Sequence, residues 1–530
     1  MTIVDDIEVR RQERQIHIDA ARTAPERNRL GQFATPPALA RQIAARVLSI
    51  GPGSGEPIRF LEPSVGSGSF FGALLDTLDG RRVEQALGVE IDPRFAEAAT
   101  ELWAQAGLTV IRGDFLSLAP SLASTTHPNL VLANPPYVRH HHMESAVKAA
   151  LGRQVLKSTG MPVSGLAGLY VYFLILASEL MAEGGVAGWL IPSEFMDVNY
   201  GAALRDYLAQ RVTLLQIHRF DPADVQFADA LVTSAVVIFR KGVPPADHTA
   251  RFSYGGTLHA PARQEQVTLP LLSQSPKWTV FPRHPDTGSL ASVPSESAGT
   301  TFADLFRVQR GIATGCDDLF ILPRAKARQL QLPEECLRPI LPSPRRLANL
   351  IIPADADGYP CFPEPWALIQ CDLPEAVLRD RHPALWSYFD TAATAEIRAR
   401  YILRNRNPWY RLEYRPAPPF LCTYMGRGTG DKKPFRFLWN QSQAISTNLY
   451  LMVYPIGQLA AALRQRPEAY ALVHQFLSSV TGNQLRDAGR VYGGGLHKME
   501  PGELLRVSVA PLLEAMPELH ASVHAPTLFG

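Results

Sequence analysis

The sequence predicts an α/β protein: a doubly wound, mostly parallel sheet over residues 31–245, followed by a mixed α+β domain over 246–530. Three observations carry that expectation. Short β-type apolar runs alternate with helical runs through the first half. A glycine-rich turn joins the first of these runs to its helix. After Lys241 the rhythm gives way to prolines and aromatic residues, which places a boundary near 245. At 530 residues and 58.3 kDa the chain is too long for one ordinary domain, and length alone implies about two to four.

The elements follow in order. IRFLEP (58–63) reads as a buried strand, and SGSFFGALLDTLDG (67–80) as a helix closed by Gly80. ALGVEID (86–92) is the second strand. PRFAEAATELWAQAG is a helix with proline at its start and glycine at its end, and LTVIRGD is the third strand. NLVLA (129–133) is a fourth strand, stopped by Pro135 and Pro136, which cannot donate to a sheet ladder. A helix near 169–183, a strand at 185–192, a helix near 199–210 and the strands VTLLQIHRF and LVTSAVVIFRK complete the half. The last two strands are joined by FDPADVQFAD, too short for a helical crossover, so an antiparallel pair is expected at that edge.

Composition limits the functional classes. With 46% hydrophobic and 19% charged residues the chain builds a folded core. A net charge of +2 confines any polyanion-binding surface to a local patch. None of the five cysteines forms a C-x-x-C pair, which argues against a zinc ribbon or a disulfide framework. The N-terminal MTIVDDIEVRRQERQ is charged where a secretory signal needs an apolar core, and LYVYFLILASELMA (169–182) is interrupted by Ser178 and Glu179. No membrane role and a cytoplasmic location are the expectation. His140, His141 and His142 are adjacent and have no nearby cysteine, so no metal site is expected there.

Three strand ends carry ligand chemistry. In EPSVGSGSF (62–70), Gly66 and Gly68 allow a tight turn and close approach to a ligand. Glu90 ends the second strand, where such Rossmann-like sheets bind ribose hydroxyls. Asp114 and Phe115 end the third, an acid and a ring that suit an adenine amino group and face. A dinucleotide would need a third glycine and would meet repulsion from Glu62. A cationic nucleoside fits better, and S-adenosylmethionine, with a sulfonium and an ammonium, is favoured. The corner Asn134-Pro135-Pro136-Tyr137 then offers a side-chain amide, rigid carbonyls and a ring, a site for a planar amide-like group.

In their order, GQFATPPALARQIA, LEPSVGSGSF, GVEIDP, GDFL, NPPY and VQFADALVTSAVVIF resemble the γ-group N6-adenine-specific DNA methyltransferases of type II restriction–modification systems. The resemblance is strong over 31–240 and continues more weakly through GIATGCDDLFIL (311–322) and GGGLHKMEPGELL (493–505). It implies an S-adenosylmethionine-binding catalytic domain over 31–245 behind an N-terminal extension of 1–30, and a target-recognition domain over 246–530. It further implies that Asn134 and the Pro135 carbonyl hold the adenine amine, while Tyr137 and Phe227 stack on the extruded base. Thr35, Pro36, Glu62 and Gly66 would lie about the methionine part, Glu90 on the ribose, and Ile91, Asp114, Phe115 and Phe173 about the adenine. Double-stranded DNA is the implied partner, with a separately encoded restriction endonuclease as a functional one. Arg139 suits a phosphate contact. Arg404, Arg406 and Trp409 in RNRNPWYR, Arg427 and Lys432 in MGRGTGDKKPFRF, and His497 and Lys498 are candidate DNA contacts, since cations position on phosphates and arginine reads bases. Two other readings stand beside this one: methylation of a protein glutamine or an RNA base, and a catalytically inactive DNA-specificity subunit.

Overall fold

Phe60 and Leu61, neighbours in the first strand, face opposite ways and enter two different cores. Leu130 and Leu132 alternate with Val131 and Ala133 in the same manner. A strand with both faces apolar demands cover on both sides. The computed structural model supplies it; it describes all residues except 1–2, 54, 139–142, 222–232, 284–299, 428–433, 481–489, 493–495 and 520–530.

The strands are β1 (Ile58–Glu62), β2 (Val83–Glu90), β3 (Leu108–Arg112), β4 (Leu130–Ala133), β5 (Val186–Pro192), β6 (Val212–Arg219), β7 (Ser234–Lys241), β8 (Thr249–Gly256) and β9 (Pro261–Thr268). They form one sheet in the order β3-β2-β1-β4-β5-β7-β6-β8-β9. β1 to β5 pair in parallel. Strand order therefore reverses between β1 and β4, and a doubly wound sheet opens its ligand crevice at such a switch point. The glycine turn leaves β1 and the Asn134 corner leaves β4, so the two meet across it.

Helices α1 (Ile3–Ala20), α2 (Ala24–Leu30), α3 (Pro37–Leu48), α4 (Ser69–Asp76), α5 (Pro93–Trp103), α6 (Phe115–Leu122), α7 (Ser145–Thr159), α8 (Leu169–Leu180) and α9 (Ala202–Gln210) precede or connect the strands, and α10 (Leu269–Gln274) follows β9. Residues of α3, α4 and α5 share one core with Phe60 and Leu132; residues of α6, α8 and α9 share the other with Leu61 and Val131. α8 is buried almost throughout, as its apolar sequence requires, and no described helix is long and apolar enough to cross a membrane.

Two expectations shift. The antiparallel pair exists, since β7 runs against both β5 and β6, but it is not the edge. β8 continues the sheet in parallel with β6, and β9 returns against β8. The compact unit accordingly runs Met1–Val293, past the boundary expected near 245. The change of texture after Lys241 has a local cause: β9 alternates exposed and half-buried residues because it is solvated on one face. Phe252 in β8 anchors the extension against Trp278 and Phe281.

The second unit, Pro294–Gly530, is mixed α+β. Strands Phe306–Arg310, Tyr450–Pro455, Phe420–Thr423, Phe437–Asn440 and Ile351–Ile352 lie side by side in that order, antiparallel except for the last pair. Two three-stranded sheets accompany them.

Candidate active site

β1 delivers Glu62 to the crevice almost completely buried, 2% exposed, with Oε2 lacking any hydrogen-bond partner. Burial drives its carboxyl well above the ordinary range, against the backbone N–H groups of Phe70 and Phe71 and the charge of Arg11. Such an oxygen is costly to leave unpaired and is poised to accept from a cationic donor. Behind it the turn passes through Gly66 and Gly68, both at positive φ. A Cβ on Gly68 would lie 2.4 Å from Trp103 Nε1, so the position needs glycine for space as well as conformation.

Glu90 clamps the turn. Its Oε2 accepts from Gly66 N and its Oε1 from Asp92 N, each at 2.8 Å. Burial raises its carboxyl as well, and these N–H groups oppose the rise. Ile91, next along the chain, is 65% exposed and lines the crevice. Asp114 caps α6, accepting from Leu116 N at 3.1 Å and from the Ser117 hydroxyl at 2.7 Å. Phe115 and Phe173 pack with ring centres 5.4 Å apart. Asp114 is at once the cap of α6 and part of the cavity wall, and substitutions separate the two roles. Asp114→Ala is expected to lose about 1 kcal/mol from the missing cap, a fall of a few degrees in Tm by calorimetry. Asp114→Asn, an equally good cap, keeps that stability.

The corner after β4 is braced by the segment preceding α3. Asn134 Nδ2 donates to Phe33 O at 2.8 Å and to Thr35 Oγ1 at 3.1 Å. Both acceptors lie on the amide's nitrogen side, which fixes its orientation. Asn134 Oδ1 is left buried and without a partner, in a residue that lines the crevice. Tyr137 N donates to Gly31 O at 3.1 Å. Gly31 has φ 67°, and a Cβ there would sit 2.4 Å from Tyr137 N, so a side chain would push the two segments apart.

Thr35, Glu62, Gly66, Glu90, Ile91, Asp114, Phe115, Asn134, Pro136 and Phe173 surround one cavity of about 550 Å³, within the range that holds a nucleoside-sized ligand. Pro36 instead stands at the N-cap of α3, and Pro135 is buried. Tyr137 differs from the open stacking surface expected of it: it is 7% exposed, its hydroxyl donates to Leu190 O at 3.1 Å, and its ring packs against Phe33. Phe227, Arg139 and the histidines 140–142 lie outside the described residues. Among the described residues no cluster of three or more His, Cys, Asp or Glu could hold a metal.

Gln15 and Asp19 also line the cavity, and the motifs do not reach them. They come from α1, in the stretch read only as an extension. The spacing Arg11, Gln15, Asp19 is i, i+4, i+8, a polar stripe along one helix face that marks a helix facing a polar site. Arg22, just past α1, pairs with Asp92 at 2.7 Å. Burial would raise the Asp92 carboxyl, but bonds from Arg94 and Arg22 prevail and bring it down to about 2.

The donors and acceptors around this cavity fit S-adenosylmethionine. An unpartnered buried carboxylate oxygen suits its ammonium, a glycine turn admits close approach, and Glu90, Ile91, Asp114 and Phe115 line the same cavity. In the second unit several expected DNA contacts are engaged internally. Arg406 donates to Ala313 O and to Thr314 O. Trp409 packs among Phe320, Phe389 and Tyr410. His497 is buried beside Phe435, and Lys498 pairs with Glu500 at 2.9 Å. Backbone carbonyls, aromatic rings and a carboxylate within the unit thus claim these four side chains. Arg404 is exposed beside Tyr401. Lys432 and the side chain of Arg427 lie outside the described residues.

Comparison with known proteins covers both units. Residues 123–226 match the Eco57I restriction-modification methylase family, and residues 276–526 match the C-terminal domain of the type II methyltransferase M.Eco57I. The type II methyltransferase M.XamI of Xanthomonas campestris pv. amaranthicola is 27% identical over 93% of this chain and 86% of its own length. M.AccI of Acinetobacter calcoaceticus is 23% identical over 90% and 85%. Among solved structures, the type IIG restriction endonuclease BpuSI overlaps 90% of this chain at 16% identity with a TM-score of 0.44, and the chain spans 58% of that protein. Matched in both units and aligned with these relatives along nearly its full length, the chain is similar to the Eco57I-type methylases of type II restriction–modification systems.

Proposed function

We propose that this chain methylates the N6 amine of an adenine within a specific site in double-stranded DNA, taking the base out of the duplex to do so. The observation that carries the reading is the Asn134 amide: its nitrogen is tied back to Phe33 and Thr35, and its oxygen is buried without a partner in a residue that lines the crevice. When bound, S-adenosylmethionine supplies an electrophilic methyl group on a sulfonium sulfur. Glu62, Glu90 and Asp114 hold that cofactor through its ammonium, ribose and adenine. Asn134 Oδ1 and the Pro135 carbonyl accept the two N–H groups of the target amine. An aniline-like nitrogen is a poor nucleophile because its lone pair is delocalised, and gripping both hydrogens directs that pair out of the ring plane. Orientation and fixed dipoles then lower the barrier without a strong base.

Extruding the base costs a few kcal/mol of unstacking, which aromatic stacking partly returns at about 1–3 kcal/mol per base. Phe227 and Tyr137 are the proposed stacking pair; for Tyr137 this requires its ring to leave the packing against Phe33. The second unit is the proposed target-recognition domain, with Arg404 as one of its DNA contacts, and Arg139 a phosphate contact beside the corner. Protection against a separately encoded restriction endonuclease is the proposed role.

The test incubates the full chain with duplex DNA and methyl-labelled S-adenosylmethionine, digests the DNA to nucleosides and identifies the labelled one by mass spectrometry. N6-methyl-2′-deoxyadenosine is expected. Label in N4-methylcytosine, in RNA or in protein would refute the substrate assignment.

A further inference from the structure

We propose that Arg11, on the N-terminal helix α1, is a positioning residue of the cofactor site, holding the glycine turn of residues 64–68 in its binding conformation through Ser67. The inference rests on the cofactor reading above and adds to it an element that no motif includes.

Arg11 is 2% exposed, unusual for a side chain that seldom leaves water unpaired. Each of its three guanidinium nitrogens donates a hydrogen bond. Nε and Nη2 form a two-point bond to the Glu8 carboxylate, each at 2.7 Å, and Nη1 donates to Ser67 Oγ at 2.8 Å. The Ser67 hydroxyl in turn donates to Gln15 Oε1 at 2.8 Å. A guanidinium can only donate, so Ser67 accepts from Arg11 and its one hydrogen goes to Gln15, which gives the chain of bonds a single direction. On its other side the Ser67 carbonyl accepts from Trp103 Nε1 at 3.0 Å. The turn that presents Gly66 to Glu90 is thus pinned from α1 on one side and α5 on the other.

The same helix carries Gln15 and Asp19 into the cavity lining. It has little apolar character: Val9 and Ile16 are exposed, Ile18 packs on Phe95 and Ala98 and Ile7 on the sheet's core, and its remaining fixed points, Arg11 and Gln15, are polar. Such a helix draws its stability from those points and opens more readily than the sheet beneath it. Cofactor in the cavity therefore favours a docked α1, and a docked α1 favours the cofactor; by linkage the two effects are equal.

The experiment uses the full chain with Arg11→Gln, Arg11→Lys and Ser67→Ala. Ser67→Ala removes the same bond while sparing the Arg11–Glu8 pair, so it reports even if Arg11→Gln folds poorly. Titration calorimetry with S-adenosylhomocysteine and with S-adenosylmethionine is expected to show affinity weakened about 10- to 100-fold in Arg11→Gln and Ser67→Ala. Arg11→Lys, a cation without the planar fork, should recover part of the loss. Methylation kinetics should show a raised KM for the cofactor, with kcat at saturation near wild type. Hydrogen exchange should show cofactor protecting 3–20 in the wild type and much less in Ser67→Ala. Wild-type binding with unchanged affinity in both Arg11→Gln and Ser67→Ala would overturn the role of Arg11 alone. Failure of the wild type to bind either compound would overturn the cofactor reading together with it.

Discussion

Asn134→Ala is expected to lower the single-turnover rate of methyl transfer by about 10²–10³-fold, the scale of removing one preorganised polar group from a reacting centre. Cofactor affinity should remain close to wild type, because the Asn134 amide meets the cavity from β4 while Glu62, Glu90 and Asp114 belong to the other strand ends. The variant frees two acceptors, Phe33 O and Thr35 Oγ1, and a loss of about 1–2 kcal/mol of stability is the expected side effect. A second variant separates chemistry from packing. Asn134→Asp keeps an acceptor of the same shape but loses the donor, so one carboxylate oxygen would face the Phe33 carbonyl. That repulsion turns the group away, and activity should fall despite the extra negative charge. Activity in Asn134→Asp equal to wild type would mean that an acceptor alone suffices and that the tie to Phe33 is irrelevant. Full activity in Asn134→Ala would remove the residue from the mechanism altogether.

What the sequence disclosed follows from which constraints are local. Strand identity, the helix start at Pro93 and the glycine turn are written in adjacent residues, and each stands where the pattern placed it; Asp92, read as the end of the strand, is instead the N-cap of α5. The convergence of the turn, Glu90, Asp114 and Asn134 on one cavity was legible because parallel strands align their carboxyl ends. The extent of the sheet was not. β8 and β9 lie beyond a change of composition, and their membership depends on cross-strand contacts: the His218 ring meets Ser253 Oγ at 3.0 Å, and Gln216 Nε2 reaches the same hydroxyl at 3.4 Å. Side-chain fate was no clearer. Trp409 and Arg406 resemble DNA contacts in RNRNPWYR because cations and aromatics also build cores, and only the fold shows the carbonyls at 313 and 314 receiving Arg406. Arg11 was hidden for the converse reason. A charged helix ahead of the motifs looks like a solvated extension until its partner Ser67, 56 residues away, is brought beside it.

Glu62→Gln is expected to weaken S-adenosylmethionine binding by about 10- to 100-fold and at the same time to stabilise the empty protein above the ordinary carboxyl range. Both effects come from one oxygen. Burial raises the Glu62 carboxyl well above 4.5, and the nearby Glu90 raises it further, while Arg11 and the N–H groups of Phe70 and Phe71 pull the other way. In the window from about pH 4.5 up to that raised pKa, the folded empty protein keeps a proton that the unfolded chain has released. The unfolded state then binds fewer protons, so stability falls as pH rises. Glutamine does not titrate, and its stability curve should be flatter, with a higher Tm than wild type at neutral and alkaline pH. Binding runs the opposite way. An ammonium beside Oε2 favours the ionised acid, so cofactor binding expels a proton and tightens as pH rises through the same window. Calorimetry in two buffers of different ionisation enthalpy should therefore reveal proton release in the wild type and a smaller release in Glu62→Gln, the remainder belonging to Glu90, whose carboxyl is also raised. Arg11 stays neutralised by Glu8 in the variant, so the loss of Glu62 does not strand its charge. A site that binds a cation through an unpaired buried acid is destabilised until the cation arrives, and relieving that penalty removes the affinity that depends on it. If Glu62→Gln proved less stable than wild type when empty, yet bound cofactor equally well, the acid would be a structural element and the ammonium would lie elsewhere in the cavity.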